Sequence, residues 1–371
     1  MILALRKVLS DLRADTFFKV LLAALLVLSV FAPSGIASYP SLVDWSTIAA
    51  LAGLLLLTKG LEVSGGLHRF GVWLVNLMST ERVAAIYLVL AAALLSTVLT
   101  NDVALFVVVP LTLSVCRLTG MSATRFIVFE ALAVNVGSTL TPIGNPQNLF
   151  IWQLAKVSFG EFVLHQLPLV AALLVALIGL TALSFGGRRI DVRESDSSKL
   201  DGPLLALSLL LYVPFLLVTD MHQAAYAFAA VLLLYLVLRP RVVAQLDWGL
   251  LLVFVLMFID LRLVARLGGV QELMKGLELQ NPANLYLAGI GASQLVSNVP
   301  AAIALAEYSQ DWKVLAYGVN VGGFGLLIGS LANLIALRLS GDGKAWKMFH
   351  VYAVPALLVA ALLGYLLLFG I

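Results

Sequence analysis

The sequence predicts an all-α polytopic membrane protein: two inverted repeats, each with a re-entrant helical hairpin and a broken transmembrane helix, giving about nine full crossings plus two hairpins. Three observations predict it: a scarcity of charge, polar interruptions inside otherwise apolar runs, and a match between the two halves of the chain. Of 371 residues, 61% are hydrophobic and 12% charged, and the mean hydropathy is +1.04. A soluble domain carries about 25% charged residues. Half that charge cannot cover a soluble surface, so the excess apolar surface has to face lipid. The whole chain, residues 1–371, reads as one membrane domain with no room for a separate soluble one.

The apolar runs fall at 20–32, 45–63, 83–116, 126–151, 163–184, 204–218, 223–238, 247–265, 284–307, 314–337 and 351–370. The first resembles the core of a signal peptide. The residues before it mix Asp11 and Asp15 with Arg6, Lys7 and Arg13, so it reads as a retained first helix. The run at 83–116 is interrupted at Ser96-Thr-Val-Leu-Thr-Asn-Asp102, and the second hairpin, 284–310, at Gln294-Leu-Val-Ser-Asn-Val-Pro300. Each half looks too short for about 30 Å of hydrocarbon, which favours re-entrant hairpins. The broken helices are placed at 126–151 and 314–337, the first repeat at 20–184, a cytoplasmic linker at 185–203 and the second repeat at 204–371.

Basic residues set the orientation. With the N-terminus inside and nine crossings, only Lys156, Arg262, Arg266, Lys275 and Lys313 fall outside. The other 18 of the 23 Lys and Arg are inside, among them Arg188, Arg189, Arg193, Arg239 and Arg241. The N-terminus is then cytoplasmic and the C-terminus periplasmic. The net charge of +3 is scattered rather than clustered, so nucleic acid is no partner. The lone Cys116 excludes an internal disulfide. His68, His165, His222 and His350 lie far apart in polar breaks and read as loop residues with no shared metal.

The halves match at several landmarks. Asp44-Trp45 and Gly65-Gly66 correspond to Asp247-Trp248 and Gly268-Gly269 at one offset, and Thr100-Asn101 corresponds to Ser297-Asn298. The segment Asn135-Val-Gly-Ser-Thr-Leu-Thr-Pro-Ile-Gly-Asn-Pro-Gln-Asn148 aligns without a gap to Asn320-Val-Gly-Gly-Phe-Gly-Leu-Leu-Ile-Gly-Ser-Leu-Ala-Asn333. An odd number of crossings separates the matched tryptophans, so the repeats are inverted, the usual architecture of secondary transporters.

These segments carry the candidate site. Gly137, Pro142, Gly144 and Pro146 cannot share one continuous helix. The resulting unwound stretch offers carbonyls to a cation and N–H groups to an anion, with Ser138, Thr139, Thr141, Asn145 and Asn148 beside them. At the first hairpin tip Thr100, Asn101 and Asp102 repeat this logic: Asn101 or Asp102 would cap the second half-helix, and a carboxylate at that depth is usually functional. The second half contributes Ser297, Asn298, Asn320, Gly322, Gly323 and Asn333. Its residues opposite Asp102, Ser138, Thr139 and Thr141 are Val299, Gly323, Phe324 and Leu326, so one dominant Na+ or proton site is expected on the first repeat, near Asn101, Asp102 and Asn145. Glu130 and Asp260 are weaker signals, each read equally as part of a proton path or as pairing with a nearby base or snorkelling, and Lys59 and Arg262 are read as snorkelling.

The motif Leu99-Thr-Asn-Asp-Val-Ala-Leu-Phe-Val-Val-Val-Pro-Leu111, followed by the Gly-Asn-Pro segment and the second-half Ser-Asn-Val-Pro, resembles the ion transporter superfamily along essentially the whole chain. That group includes arsenite permeases, NhaD-type sodium/proton antiporters, citrate and dicarboxylate carriers, and anion permeases of bacterial inner membranes. The resemblance implies an elevator-type motion, a homodimer in the bacterial inner membrane, and ion and substrate sites at the hairpin tips and broken segments. In the dicarboxylate carriers both tips read Ser-Asn-Thr. Here they do not, so citrate-like substrates and two equivalent sodium sites are not carried over.

The sequence therefore predicts a secondary active transporter moving a small inorganic or organic anion coupled to Na+ or H+, a symporter in the simplest case. A Na+/H+ antiporter and an arsenite-like efflux permease are the alternatives, and a channel comes after them. No nucleotide-binding loop or catalytic group is found and no cofactor beyond the coupling ion is implied, so the chain is not read as an enzyme.

Overall fold

The computed structural model describes residues 16–31, 33–190, 199–343 and 345–370. Arg6, Lys7, Asp11, Arg13, Asp15, Ala32 and Arg193 lie outside the described residues. The described chain is a succession of helices, as the sequence predicts. In order these are α1 (Thr16–Phe31), a 3-10 turn (Pro33–Ser38), α2 (Tyr39–Leu42), α3 (Trp45–Val63) and α4 (Gly66–Val75). The first hairpin is α5 (Glu81–Val98) and α6 (Asn101–Thr119); the first broken helix is α7 (Ala123–Ser138) and α8 (Pro146–Ala155); α9 (Phe159–Ser184) follows. After α10 (Gly202–Asp220), α11 (Ala224–Leu238) and α12 (Pro240–Ala244), the same order recurs as α13 (Trp248–Ala265) and α14 (Gly268–Gly276). Then come α15 (Pro282–Val296) and α16 (Asn298–Ala306), and α17 (Trp312–Val321) and α18 (Leu331–Ser340) around a 3-10 turn (Leu327–Gly329). The last helix is α19 (Ala345–Phe369).

Among the described residues six helices are long and apolar enough to cross a membrane: α3, α5, α9, α10, α13 and α19. The presence of α5 corrects one expectation. The first hairpin extends beyond 83–116, its arms are 18 and 19 residues long, and α5 is not too short to span. The second hairpin is shorter, with arms of 15 and 9 residues.

The matched Asp-Trp pairs do the same local work in both halves. Asp44 Oδ1 accepts from the Thr47 amide at 3.0 Å and Asp247 Oδ1 from the Leu250 amide at 2.9 Å, each capping its helix. Each following indole N–H reaches the carbonyl five residues back, Trp45 to Pro40 and Trp248 to Val243.

The chain packs as two compact units. Unit 1 comprises residues up to 64 and 201–278; unit 2 comprises residues 65–200 and 279–371. Within unit 1, α3 packs against α10 and α11, and α13 against α1. The charge pairings there differ from simple snorkelling: Lys59 bonds Glu62 at 2.6 Å, and Arg262 donates to the Leu42 carbonyl at 2.7 Å. Asp260 is buried in α13 with no hydrogen-bond partner for either oxygen.

Unit 2 holds both hairpins and both broken helices. Its centre is α7, on which every residue from Phe126 to Ser138 is buried. A helix apolar all round has to be surrounded, and α5, α6, α9, α18 and α19 do so. Helices α9 and α19 instead expose Leu164, Val175, Leu183, Val351, Leu358 and Leu362, an apolar exterior suited to lipid. Three histidines belong to helices rather than loops: His68 in α4, His165 in α9 and His350 in α19.

Close packing of α5 on α7 depends on Gly137, because a Cβ there would overlap the Ala93 carbonyl oxygen and Ser96 Oγ. The matched Gly322 has the same neighbour in the other half, Ser293 Oγ, 2.5 Å from where its Cβ would stand. Small residues at such crossings let membrane helices approach. Gly137→Ala is expected to destabilise by about 1–3 kcal/mol through overpacking. Gly179→Ala, where a Cβ meets nothing within 4 Å, should be neutral or stabilising. Thermal unfolding of the purified variants in detergent checks the contrast.

Candidate functional site

Helix breaks fall between Ser138 and Pro146 and between Val321 and Leu331. Helix α7 ends at Ser138 and α8 starts at Pro146, with Asn145 as its N-cap: Asn145 Oδ1 accepts from the Asn148 amide at 2.8 Å. Proline at the first helical position fits because its missing N–H would have no intrahelical partner. In the second half α17 ends at Val321, Gly325 takes a left-handed φ of +92°, and α18 starts at Leu331 with Ser330 at the N-cap.

Asparagine amides occupy the carbonyls that unwinding leaves free. Asn148 Nδ2 lies 3.1 Å from each of the carbonyl oxygens of Ser138, Thr139 and Thr141. Asn145 Nδ2 donates to the Ser138 carbonyl at 3.1 Å and to Ser138 Oγ at 3.2 Å. The Thr139 hydroxyl reaches back to the Asn135 carbonyl at 2.7 Å. In the second half Asn333 Nδ2 donates to the Gly323 carbonyl at 2.9 Å. Gly323 aligns with Ser138 and Asn333 with Asn148, so the same bond is made twice.

The halves also exchange bonds. Asn135 Nδ2 donates to Asn333 Oδ1 at 2.8 Å, and Asn320 Nδ2 donates to Asn148 Oδ1 at 2.6 Å. Since Asn135 aligns with Asn320 and Asn148 with Asn333, each pair is the image of the other. Contacts in which i meets j and j's counterpart meets i's counterpart characterise a two-fold relation. The helices follow the same exchange, α6 packing on α18 and α16 on α8. Asn145 Nδ2 adds a further bond across the halves, to Asn320 Oδ1 at 3.1 Å.

Both hairpin tips join this network. The Asn101 amide donates to the Gly144 carbonyl at 3.0 Å. At the second tip Asn298 Nδ2 and Asn135 Oδ1 both lie within 4 Å of where a Gly323 Cβ would stand. Ser297 precedes α16 with φ +74°, a strained setting for a non-glycine residue.

One expectation is corrected here. Neither Asn101 nor Asp102 caps α6: Thr100 holds the N-cap position without a side-chain bond, and Asn101 Oδ1 accepts from the adjacent Asp102 amide at 3.0 Å. The loop before α6 is tied down by the Gly144 bond, which leaves both side chains in the first helical turn. Asp102 is half-buried. Asn145, expected beside a cation, has its carbonyl engaged in the α8 cap. Among the described residues no three His, Cys, Asp or Glu side chains cluster as metal ligands.

Sequence reasoning missed three residues. Gln294 of the second hairpin donates to the Gly322 and Phe324 carbonyls at 2.6 and 3.0 Å and accepts from the Leu326 amide at 2.8 Å, so its amide grips the second break. Gln147 is buried, donates to Asn320 Oδ1 at 3.3 Å and leaves Oε1 without a partner. Ser330 Oγ is likewise buried and unpartnered, as is Thr100 Oγ1 at the first tip. Unsatisfied buried atoms grouped around unwound backbone are where a ligand or ordered water would bond. Four helix N-termini, those of α6, α8, α16 and α18, begin at these tips and breaks, and no Lys or Arg stands within 96–102, 135–148, 294–300 or 320–333. Positive potential in the network then comes from backbone N–H groups.

A family model described as Citrate transporter (CitMHS) matches residues 3–317. The chain belongs to that family. It is 46% identical over 361 residues to the inner membrane protein YbiR of Escherichia coli K12, an alignment covering 97% of each chain. It is also similar to the uncharacterized transporter MJ0456 of Methanocaldococcus jannaschii, 31% identical over 336 residues, 89% of this chain and 91% of the relative. The uncharacterized transporter Mb2703 of Mycobacterium bovis is 27% identical over 380 residues, 91% and 88% of the two chains. Membership in this family places the chain in the ion transporter superfamily that its motifs resemble, among multi-pass membrane transport proteins.

If the paired asparagines act as described, each Asn→Ala change should cost about 1–3 kcal/mol by orphaning buried carbonyls. Double-mutant cycles should give coupling of roughly 0.5–3 kcal/mol for Asn135 with Asn333 and for Asn148 with Asn320. The coupling should be smaller for Asn135 with Asn320. Unfolding of the four single and three double variants measures it.

Proposed function

We propose that this protein is a secondary active transporter of a small anion across the bacterial inner membrane, coupled to Na+ or H+, working by elevator-type alternating access. The observation that carries the reading is the reciprocal asparagine exchange between two unwound segments. Broken helices at a repeat interface are where secondary transporters bind their substrates, and a two-fold exchange between the halves is what inverted repeats would produce. Transporter names among the relatives favour transport, and the citrate description of the family favours an anion.

In this reading α1, α3, α7–α8, α9, α10, α11, α13, α17–α18 and α19 make nine crossings, with α5–α6 and α15–α16 as hairpins entering from opposite sides. The N-terminus is cytoplasmic and the C-terminus periplasmic. Unit 2, which holds every tip and break, is the moving body, and the protein works as a homodimer. The anion is held by backbone N–H groups at the helix starts together with the hydroxyls and amides of Thr100, Ser138, Gln147, Ser297 and Asn298. The coupling cation sits on the first repeat beside Asn101 and Asp102.

The absence of Lys and Arg from all four segments favours one second reading, a Na+/H+ antiporter in which Asp102 exchanges ions and no anion moves. A thermal-shift screen of the purified protein against citrate, phosphate and arsenite, each with and without NaCl, separates the two. The symport reading predicts that an anion raises the melting temperature and that Na+ or low pH strengthens the effect. At a ligand concentration 100 times Kd the stabilisation is about 2.7 kcal/mol. Asp102→Asn should abolish the cation-dependent part. Stabilisation by Na+ alone, with proton movement into probe-loaded vesicles in the absence of any anion, would favour the antiporter.

A further inference from the structure

Glu130 lies on α7, fully buried, one and a half turns before Asn135. The Thr112 hydroxyl of α6 bonds its Oε1, while Oε2 is buried with no hydrogen-bond partner. The carboxyl therefore bridges the returning arm of the first hairpin and the first arm of the broken helix, the two helices that carry Asn101 and Asn135.

The surrounding charged groups are engaged elsewhere or exposed. Arg125, on α7 itself, pairs with Glu81 of α5 at 3.0 Å and lies over the Phe185 ring, and Arg82 of α5 donates to the Phe185 carbonyl. Tyr87 of α5 is half-buried and has no bond to Glu130. On α6, Asp102 is half-buried three turns from Thr112, Arg117 is exposed, and Cys116 is the buried titratable neighbour, within electrostatic reach of Glu130. On α9, Glu161 is exposed and His165 packs against Trp312 and Tyr317. Arg338 of α18 and Lys347 of α19 are exposed, Tyr352 meets the Phe129 ring, and His350 accepts the Leu327 amide. Among the described residues no cation pairs with Glu130.

We propose that Glu130 is a proton-binding site of unit 2. An ionised carboxylate in this position would bury a charge with a single hydroxyl partner and one bare oxygen, a state such groups escape by taking up a proton. In the arrangement described here the group is a carboxylic acid, with the proton on Oε2. When water reaches Oε2, the O–H bond breaks, the proton passes to water as hydronium, and the carboxylate that remains accepts the Thr112 O–H. Opening and closing of the α6–α7 contact thus couples to binding and release of one proton. Only the role of this proton in a transport cycle rests on the transporter reading; the binding itself does not.

Infrared difference spectroscopy of the purified full chain, titrated with acid and base, reads protonated carboxyl groups directly. The expected result is a protonated-carboxyl C=O band that is present at neutral pH, disappears reversibly on alkalinisation and is lost in Glu130→Gln. Thr112→Val, which keeps the acid and removes its hydroxyl, should shift the band and its titration midpoint. Asp260→Asn identifies any contribution from the other partnerless buried carboxyl and should leave the Glu130 component intact. A spectrum unchanged in both Glu130→Gln and Thr112→Val would overturn the proposal. So would a Glu130 band that never titrates, since that describes a permanently neutral structural acid. Failure of the transporter reading would look different: no ion or anion stabilises the protein while the Glu130 band and its titration persist.

Discussion

Unwound backbone is the constraint on which the rest of unit 2 depends. Residues 139–145 and 322–330 leave helical hydrogen bonds unmade, and a lipid-surrounded core supplies no bulk water to replace them. The two N–H groups of Asn148 lie among three carbonyls of the first break, and Asn333 donates to the matched carbonyl of the second. Because each of these asparagines also accepts from an asparagine of the other half, Asn148 from Asn320 and Asn333 from Asn135, neither break is satisfied independently of the other. The network uses neutral amides, which can donate and accept at once without the desolvation cost of a buried charge.

Each hairpin is tied to its own break at matched positions, but with the chemistry reversed. In the first half the side chain comes from the break, where the Thr141 hydroxyl donates to the Thr97 carbonyl. In the second half it comes from the hairpin, where Gln294, aligned with Thr97, accepts from the backbone amide of Leu326, aligned with Thr141. The aligned residues are therefore dissimilar while the contact is retained. Such ties couple each tip to its break. The same asymmetry leaves Thr100, Gln147 and Ser330 with unmet bonding capacity on both halves, so a bound solute would touch a site that is two-fold in backbone and asymmetric in side chains.

Much of this was legible in the sequence because its signals are local. The helix starts at Trp45 and Trp248 follow from their capping aspartates, the breaks from Gly-Asn-Pro and from the glycines between Asn320 and Asn333, and the membrane setting from the scarcity of charge. The gapless match of Asn135–Asn148 to Asn320–Asn333 singled out the asparagines that do pair, although it could not tell which meets which; that depends on how the helices exchange in space. The cap of α6 was misread because the Gly144 contact, from a distant segment, decides which residue sits outside the helix. Arg262, expected to snorkel, donates to the Leu42 carbonyl, a partner 220 residues away that no local pattern points to. Ser330 was findable, since it aligns with the capping Asn145; Gln294 was not, since its counterpart Thr97 shares neither its size nor its chemistry.

The central claim is that the two halves are inverted with respect to each other, which makes the exchanged asparagines the meeting point of oppositely oriented hairpins. The connections between hairpin and broken helix test it directly. Ser122, between α6 and α7, and Gln310, between α16 and α17, are both exposed, and the native Cys116 is buried. Single cysteines at these two positions, probed in sealed vesicles of known orientation with a membrane-impermeant maleimide, are predicted to label from opposite faces, position 122 from the cytoplasmic side and position 310 from the periplasmic side. Labelling of both from the same face would contradict the account.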